Sequence, residues 1–160
     1  EHPTQAILDA YTIREIKGSL HAISIAVMGD LKYGRTAHSL IKLLSLYNNV
    51  KIYGFSIKGL ELPEEYVECL KARNVQYFPC ESFKDIPTNV DIIYQTRVQK
   101  ERLKDSSMSI NEFCINKDTM KKLSESTYIM HPLPRGKEIS PEQFISSKQK
   151  MAFLQEWHYY

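Results

Sequence analysis

The chain has 160 residues, of which 42% are hydrophobic and 25% are charged. These proportions indicate a globular protein rather than a disordered one, and the length suits one domain whose core needs neither disulfides nor metal ions. A formal net charge of +2 is too small to predict binding to nucleic acid or to an anionic membrane, which requires a clustered basic surface. No apolar run approaches the roughly 20 residues of a membrane span.

The cysteines and the first residue bear on cell compartment and completeness. Cys69, Cys80 and Cys114 are odd in number and lack metal-ligand spacing, so we interpret them as reduced thiols and expect a cytoplasmic protein. The chain begins at Glu1, with neither an initiator methionine nor a signal peptide. We therefore expect a domain cut from a longer protein.

Helical and extended patterns alternate along the chain. The first helix carries apolar residues on one face and ends near Gly18, a residue typical of helix C-termini. The near-continuous apolar run 22–28 predicts a buried strand, and 35–47 predicts a second helix. The later elements are a strand at 50–55, a helix at 63–73, strands at 75–78 and 91–94, a helix from Asn116 to 124 and a strand at 127–130.

This order predicts an α/β fold, a doubly wound, Rossmann-like parallel sheet of about five strands with helices on both faces. We expect a helix at 1–17, a core at 22–140 and a truncated C-terminal segment at 141–160. Ligands of such sheets bind beyond the carboxyl ends of the strands. Three predicted strand ends carry cations, amides or histidine there, so we expect an anion site at this edge.

The loop at 29–34 follows a strand and opens a helix. Its glycines lack the Gly-x-Gly-x-x-Gly spacing of dinucleotide loops, which disfavours a nicotinamide cofactor. Arg35 comes next, where backbone amides and the helix dipole favour a carboxylate or a phosphate. The residues alone also allow an ordinary solvated arginine.

Arg97 and Gln99 follow the strand predicted at 91–94. Because one residue separates them, they project to the same side of an extended chain. A guanidinium and an amide there could bracket a carboxylate, with Glu101 orienting Arg97. A charged, solvated turn is the alternative, and the residues do not decide between the two.

The segment His-Pro-Leu-Pro-Arg at 131–135 directly follows a predicted strand. Pro132 and Pro134 lack amide hydrogens, so the carbonyls of the segment stay free as acceptors for an amide or ammonium group. A rigid turn that only ends the strand is an equal alternative, and His131 itself is assigned no chemistry. At the other end of the chain, His2 and Gln5 are three residues apart at a helix start, where donors from both could polarise one carbonyl oxygen.

Four motifs in this order resemble those of the aspartate carbamoyltransferase family. They are His-Pro-Thr-Gln at 2–5, Val-Met-Gly-Asp-Leu-Lys-Tyr-Gly-Arg-Thr-Ala-His-Ser-Leu at 27–40, Asp-Ile-Ile-Tyr-Gln-Thr-Arg-Val-Gln-Lys-Glu-Arg at 91–102 and Met-His-Pro-Leu-Pro-Arg at 130–135. The resemblance covers residues 1 to about 140 and concerns the carboxy-terminal, aspartate-binding domain. Thr4 separates it from the ornithine relatives, which look to have cysteine there. The implied reaction transfers the carbamoyl group of carbamoyl phosphate to L-aspartate in pyrimidine biosynthesis, without cofactor or metal ion.

The resemblance also implies roles for single residues. His2 would be catalytic, as a donor to the oxyanion of the tetrahedral intermediate. Residues implied to contact carbamoyl phosphate are His2, Gln5, Pro132, Leu133 and Pro134. Residues implied to bind aspartate are Arg35, Arg97, Gln99 and Leu133, with Glu101 supporting Arg97.

The phosphate-gripping Ser-Thr-Arg-Thr segment of the family belongs to its amino-terminal domain and does not occur in this sequence. We therefore expect an aspartate-binding half that is inactive alone and that is completed, in a homotrimeric enzyme, by an amino-terminal carbamoyl phosphate domain. The alternative is a non-catalytic binding or regulatory module that retains the fold.

Overall fold

The computed structural model describes residues 2–97, 114–134 and 138–139. The α-helices are α1 (Pro3–Lys17), α2 (Arg35–Leu44), α3 (Glu64–Ala72) and α4 (Lys117–Lys121), with a short 3₁₀ helix at Phe83–Asp85. The strands are β1 (Ser24–Gly29), β2 (Lys51–Ser56), β3 (Gln76–Cys80), β4 (Ile92–Gln95) and β5 (Tyr128–Met130). Every predicted helix and strand is present. None of the described helices could span a membrane, since none combines the necessary length with an apolar composition.

The helix predicted at 35–47 is three residues too long at its carboxyl end. α2 ends at Leu44 rather than at residue 47, because the backbone tightens into turns. The amides of Leu46 and Tyr47 donate to the carbonyls three residues back, at 3.1 Å each. Leu46 is exposed there despite being apolar.

The five strands form one parallel sheet in the order β3-β2-β1-β4-β5. From β1 the chain moves outward through β2 to β3 and then returns to pair β4 with the other side of β1. The direction of winding therefore changes between β1 and β4. Loops leave the carboxyl ends of these two strands in opposite directions, which opens a crevice where doubly wound sheets bind ligands.

Helices cover both faces of the sheet, as predicted. Successive residues of β1 point to opposite faces, so that Ile25 and Val27 join one apolar cluster while Ala26 and Met28 join the other. The first cluster contains apolar residues of α1, α2 and α3. The second contains Met120 of α4 and residues from the loops around it.

Both ends of α1 are tied to the core. Gly18 ends the helix, as predicted, in the left-handed conformation (φ 76°), and its amide donates to the Arg14 carbonyl at 2.8 Å. Lys17 Nζ lies 2.6 Å from Asp91 Oδ1, next to the start of β4. At the other end, the His2 amide donates to Ser39 Oγ of α2 at 2.8 Å. His2 is thereby held at the carboxyl edge of the sheet.

Candidate functional site

A cleft of about 260 Å³ opens beyond the carboxyl ends of β1, β4 and β5. Six of the residues predicted for the site line it: His2, Arg35, Arg97, Pro132, Leu133 and Pro134. The rest of the lining comes from the loop after β1, from Thr36, from Thr96 and from His131. Three of the four segments that meet here follow parallel strands, which deliver their carboxyl ends to one edge, and His2 is held beside them by its bond to Ser39.

The exposed side chains of Arg35 and Arg97 supply positive charge to the cleft. Arg35 is the first residue of α2, so unpaired backbone amides and the positive end of the helix dipole lie beside its guanidinium. Asp30 also lines the cleft, but it is buried, and its Oδ1 accepts the Tyr33 amide at 2.9 Å. The exposed charge therefore favours anionic ligands.

Gly29 allows the ends of β1 and β4 to approach closely. Its φ of 119° is disfavoured for any residue with a side chain, and a Cβ atom there would overlap Thr96 Oγ1 and lie 2.7 Å from the Thr96 carbonyl oxygen. Thr96 holds this contact by donating both its amide and its hydroxyl to the Met28 carbonyl, at 2.8 and 2.9 Å. The ends of β1 and β4 are therefore held together at the point where the winding changes direction.

The segment 132–134 forms one wall of the cleft. Leu133 adopts φ 51°, and its amide donates to His131 Nδ1 at 2.9 Å. Because the flanking prolines carry no amide hydrogen, this bond uses the one backbone donor of the segment. The wall can therefore offer only carbonyl acceptors to a ligand.

Among the predicted site residues that the structure describes, Gln5 alone does not line the cleft. Its Nε2 donates to Oδ1 of Asp9, one helical turn later, at 2.8 Å. Asp9 Oδ2 accepts the Tyr94 hydroxyl at 2.6 Å, and Tyr94 also bonds the Thr36 side chain. A hydrogen-bonded chain thus connects Gln5 on α1 with Thr36 beside Arg35.

Burial shifts the pKa values of Asp9 and Tyr94, the two acidic groups that belong to these hydrogen bonds. Asp9 is 3% exposed, and burial raises its pKa from 3.8 to about 6, although the hydrogen bonds from Tyr94 and Gln5 act in the opposite direction. Burial, followed by the nearby Asp9 charge, also raises the pKa of Tyr94 well above its usual value. At neutral pH Asp9 is an ionised acceptor, so one N–H of Gln5 is committed to it.

A family model described as the Asp/Orn binding domain of aspartate/ornithine carbamoyltransferase matches residues 21–158. The chain belongs to this carbamoyltransferase family. The catalytic subunit of aspartate carbamoyltransferase from Methanocaldococcus jannaschii is 46% identical over 144 residues, which are 87% of this chain and 46% of that relative. The catalytic subunit from Clostridium novyi is 42% identical over 143 residues, covering 88% and 47%.

Solved structures of carbamoyltransferases share the fold. The M. jannaschii catalytic subunit superposes with a TM-score of 0.86 at 41% identity, over 94% of this chain and 50% of that one. Aspartate transcarbamoylase from Trypanosoma cruzi in complex with aspartate and phosphate gives 0.83 at 34%, over 99% and 50%. The chain therefore spans about half the length of the relatives it matches.

The carbamoyltransferase motifs located most of the cleft but missed Asp9. The available signal was an acidic residue among Ala6, Ala10 and Ile13, on the face of α1 that becomes buried. Two further predicted residues, Gln99 and Glu101, lie outside the described part of the chain. Their predicted bracketing of a carboxylate with Arg97 remains a prediction.

Proposed function

We propose that this chain is the aspartate-binding half of an aspartate carbamoyltransferase, which converts carbamoyl phosphate and L-aspartate into N-carbamoyl-L-aspartate and phosphate. The observation that carries the proposal is the meeting of Arg35, Arg97 and the 132–134 carbonyls around one cleft. L-Aspartate presents two carboxylates and one amine, which match two guanidinium groups and a wall of acceptors. The relatives named above are catalytic subunits, which supports an enzyme over a non-catalytic binding or regulatory module.

Arg35 binds the α-carboxylate in this proposal, and Arg97, with Gln99, binds the side-chain carboxylate. The carbonyls of Pro132, Leu133 and Pro134 hold the carbamoyl amide and the incoming amine. Arg35 begins the helix that follows β1, and Arg97 follows β4, and the ends of these two strands are joined through the bonds from Thr96 to Met28, which brings the two carboxylate sites to one edge. Such positioning converts a bimolecular reaction into an oriented one.

In the reaction, the amine nitrogen of aspartate attacks the carbamoyl carbon and forms a tetrahedral oxyanion. The C–O bond to phosphate then breaks, and the leaving phosphate takes the proton of the amine. His2 donates a hydrogen bond to the oxyanion in this proposal, which lowers the energy of the charge that develops in the transition state. The bond from its amide to Ser39 holds His2 at the cleft.

Gln5 contacts the carbamoyl group in this proposal. Asp9 takes one N–H of its amide group, and the amide has a second N–H and a carbonyl oxygen with which to meet the ligand. The remaining steps belong to the longer enzyme. We propose that an amino-terminal domain grips the phosphate, that the enzyme is a cytoplasmic homotrimer, and that it serves pyrimidine biosynthesis.

The test uses a chimaera. The part of the M. jannaschii relative that this chain does not match is fused to the amino end of this chain, and the formation of carbamoyl aspartate is measured. We expect product from L-aspartate and none from L-ornithine, because the ammonium group of ornithine would face Arg97. Arg97→Ala should raise KM for aspartate at least about tenfold, since it removes a charge-assisted pair. The matched control Arg14→Ala replaces an exposed arginine near the opposite end of α1 and should leave KM unchanged.

Two results would contradict the proposal. One is a folded chimaera that forms no carbamoyl aspartate at any substrate concentration. The other is an Arg97→Ala chimaera whose KM for aspartate equals that of the Arg14→Ala control.

A further inference from the structure

His131 is a buried side chain with a partner on each ring nitrogen. It follows β5 directly and is 3% exposed. Its Nδ1 accepts the Leu133 amide at 2.9 Å, and its Nε2 lies 2.9 Å from Glu138 Oε1, also in the interior. Glu138 is itself anchored, because its carbonyl accepts the Ile115 amide at 2.9 Å.

These contacts indicate which ring nitrogen carries the proton. A peptide amide can only donate, so Nδ1 must be without a proton where it meets Leu133. The ring therefore carries its proton on Nε2, which lies next to Glu138 Oε1 as the acceptor. Glu138 thereby selects the neutral Nε2–H tautomer, which is the form that can hold the Leu133 amide.

Leu133 needs such a restraint. Its φ of 51° lies in the left-handed region, which is unfavourable for a leucine. Strained backbone of this kind persists where the surroundings hold it, and it is common at ligand sites. With Pro132 and Pro134 on either side, the bond to His131 is the one amide hydrogen bond that the segment can make.

We propose that His131 and Glu138 are a positioning pair for the cleft. Glu138 sets the tautomer of His131, His131 sets the orientation of the Leu133 peptide, and this orientation determines how well the 132–134 carbonyls hold the carbamoyl amide and the attacking amine. The inference rests on the proposed function for its consequence, but the structural part can be tested without activity.

The first experiment uses the 160-residue chain and nitrogen NMR of the His131 ring. Glu138→Gln keeps an acceptor for Nε2–H, so we expect the Nε2–H tautomer to persist. Glu138→Met removes the acceptor at similar volume, so we expect a mixture of tautomers and amide exchange at Leu133 that is at least about tenfold faster. An unchanged tautomer and unchanged exchange in Glu138→Met would overturn the proposal.

The second experiment measures both KM values in the active chimaera. Asn at position 131 carries a carbonyl oxygen near the place of Nδ1, so the double variant His131→Asn with Glu138→Gln should restore the bond to Leu133. We expect KM for aspartate and for carbamoyl phosphate within about threefold of the wild type in the double variant. In His131→Leu we expect both to rise at least about tenfold.

Thr127→Val is the matched structural control. The Thr127 hydroxyl donates to the Val90 carbonyl at 2.7 Å in the interior, at the opposite end of β5. We expect a lower melting temperature in this variant and unchanged KM values. Equal KM values in His131→Leu and Thr127→Val would mean that His131 is only structural. An inactive wild-type chimaera would refute the proposed function instead, while the NMR experiment would still decide the pair.

Discussion

The buried carboxyl group of Asp9 should make the protein less stable as pH rises from about 4 to about 6. Its hydrogen-bond partners on α1 and β4, Gln5 and Tyr94, are neutral, and burial raises its folded-state pKa from 3.8 to about 6. Within this window the folded state keeps a proton that the unfolded state has lost, so the free energy of unfolding falls with rising pH. Below about pH 4 the burial of Asp9 does not lower the free energy of unfolding, and above about pH 6 it lowers it by the full amount.

The size of the effect follows from the pKa difference. A rise from 3.8 to about 6, at 1.36 kcal/mol per pKa unit, corresponds to about 3 kcal/mol. At 3% exposure solvent screens the charge little, so no large discount applies. Asp9→Asn removes the charge at nearly the same volume but weakens one hydrogen bond, for about 1 kcal/mol. At pH 8 the variant should therefore be more stable than the wild type by about 2 kcal/mol.

The assay is urea unfolding followed by circular dichroism at several pH values from 4 to 8. The quantity to plot is the stability of Asp9→Asn minus that of the wild type, since other titrating groups cancel in this difference. We expect it to climb between pH 4 and 6 and then level off. The control Asp118→Asn changes an exposed aspartate of α4 and should give a flat difference. A flat difference for Asp9→Asn as well would refute the reasoning.

Other expected outcomes concern the anchors of the cleft and of α1. Gly29→Ala should lower the free energy of unfolding by more than about 2 kcal/mol, because the new Cβ overlaps Thr96. Gly18 also has a left-handed φ but open space around it, so Gly18→Ala should lower the free energy of unfolding by only about 1 kcal/mol. Equal losses for Gly18→Ala and Gly29→Ala in urea unfolding would contradict the overlap with Thr96. Burial acts to raise the pKa of Asp91, but hydrogen bonds from Lys17 and Ser24 outweigh it and lower that pKa. Lys17→Met should therefore lower the free energy of unfolding by about 1 kcal/mol at pH 7. This loss of stability should vanish as pH falls through the lowered pKa of Asp91. A loss that persists at low pH would rule out the ion pair as its source.

The fold could be predicted because its signals are local and repeated. The run 22–28 is apolar at nearly every position, as a strand buried on both faces must be, and β1 occupies the centre of the sheet. Arg35 and Arg97 could be placed at one edge because parallel strands align their carboxyl ends. The order of the strands, which puts both arginines beside the point where winding reverses, came from the structure.

What could not be predicted depends on contacts between distant residues. Asp9 is buried by Tyr94, 85 positions away, whereas an aspartate in a helix is ordinarily exposed. Glu138 lies seven positions after His131 in a stretch whose sequence shows no periodicity, so no spacing rule pairs them. The Gln5 amide bonds Asp9 in turn, a contact that the motifs did not indicate.

We propose that the cleft binds L-aspartate through Arg35 and Arg97. The most direct measurement is an NMR titration of the isotope-labelled 160-residue chain with L-aspartate, which follows the guanidinium signals of both arginines. We expect saturable shifts of both signals with L-aspartate, none with L-ornithine at the same concentrations, and in Arg97→Ala an Arg35 response that needs at least about tenfold more L-aspartate. Shifts that are absent, or that are the same for ornithine, would contradict the proposal.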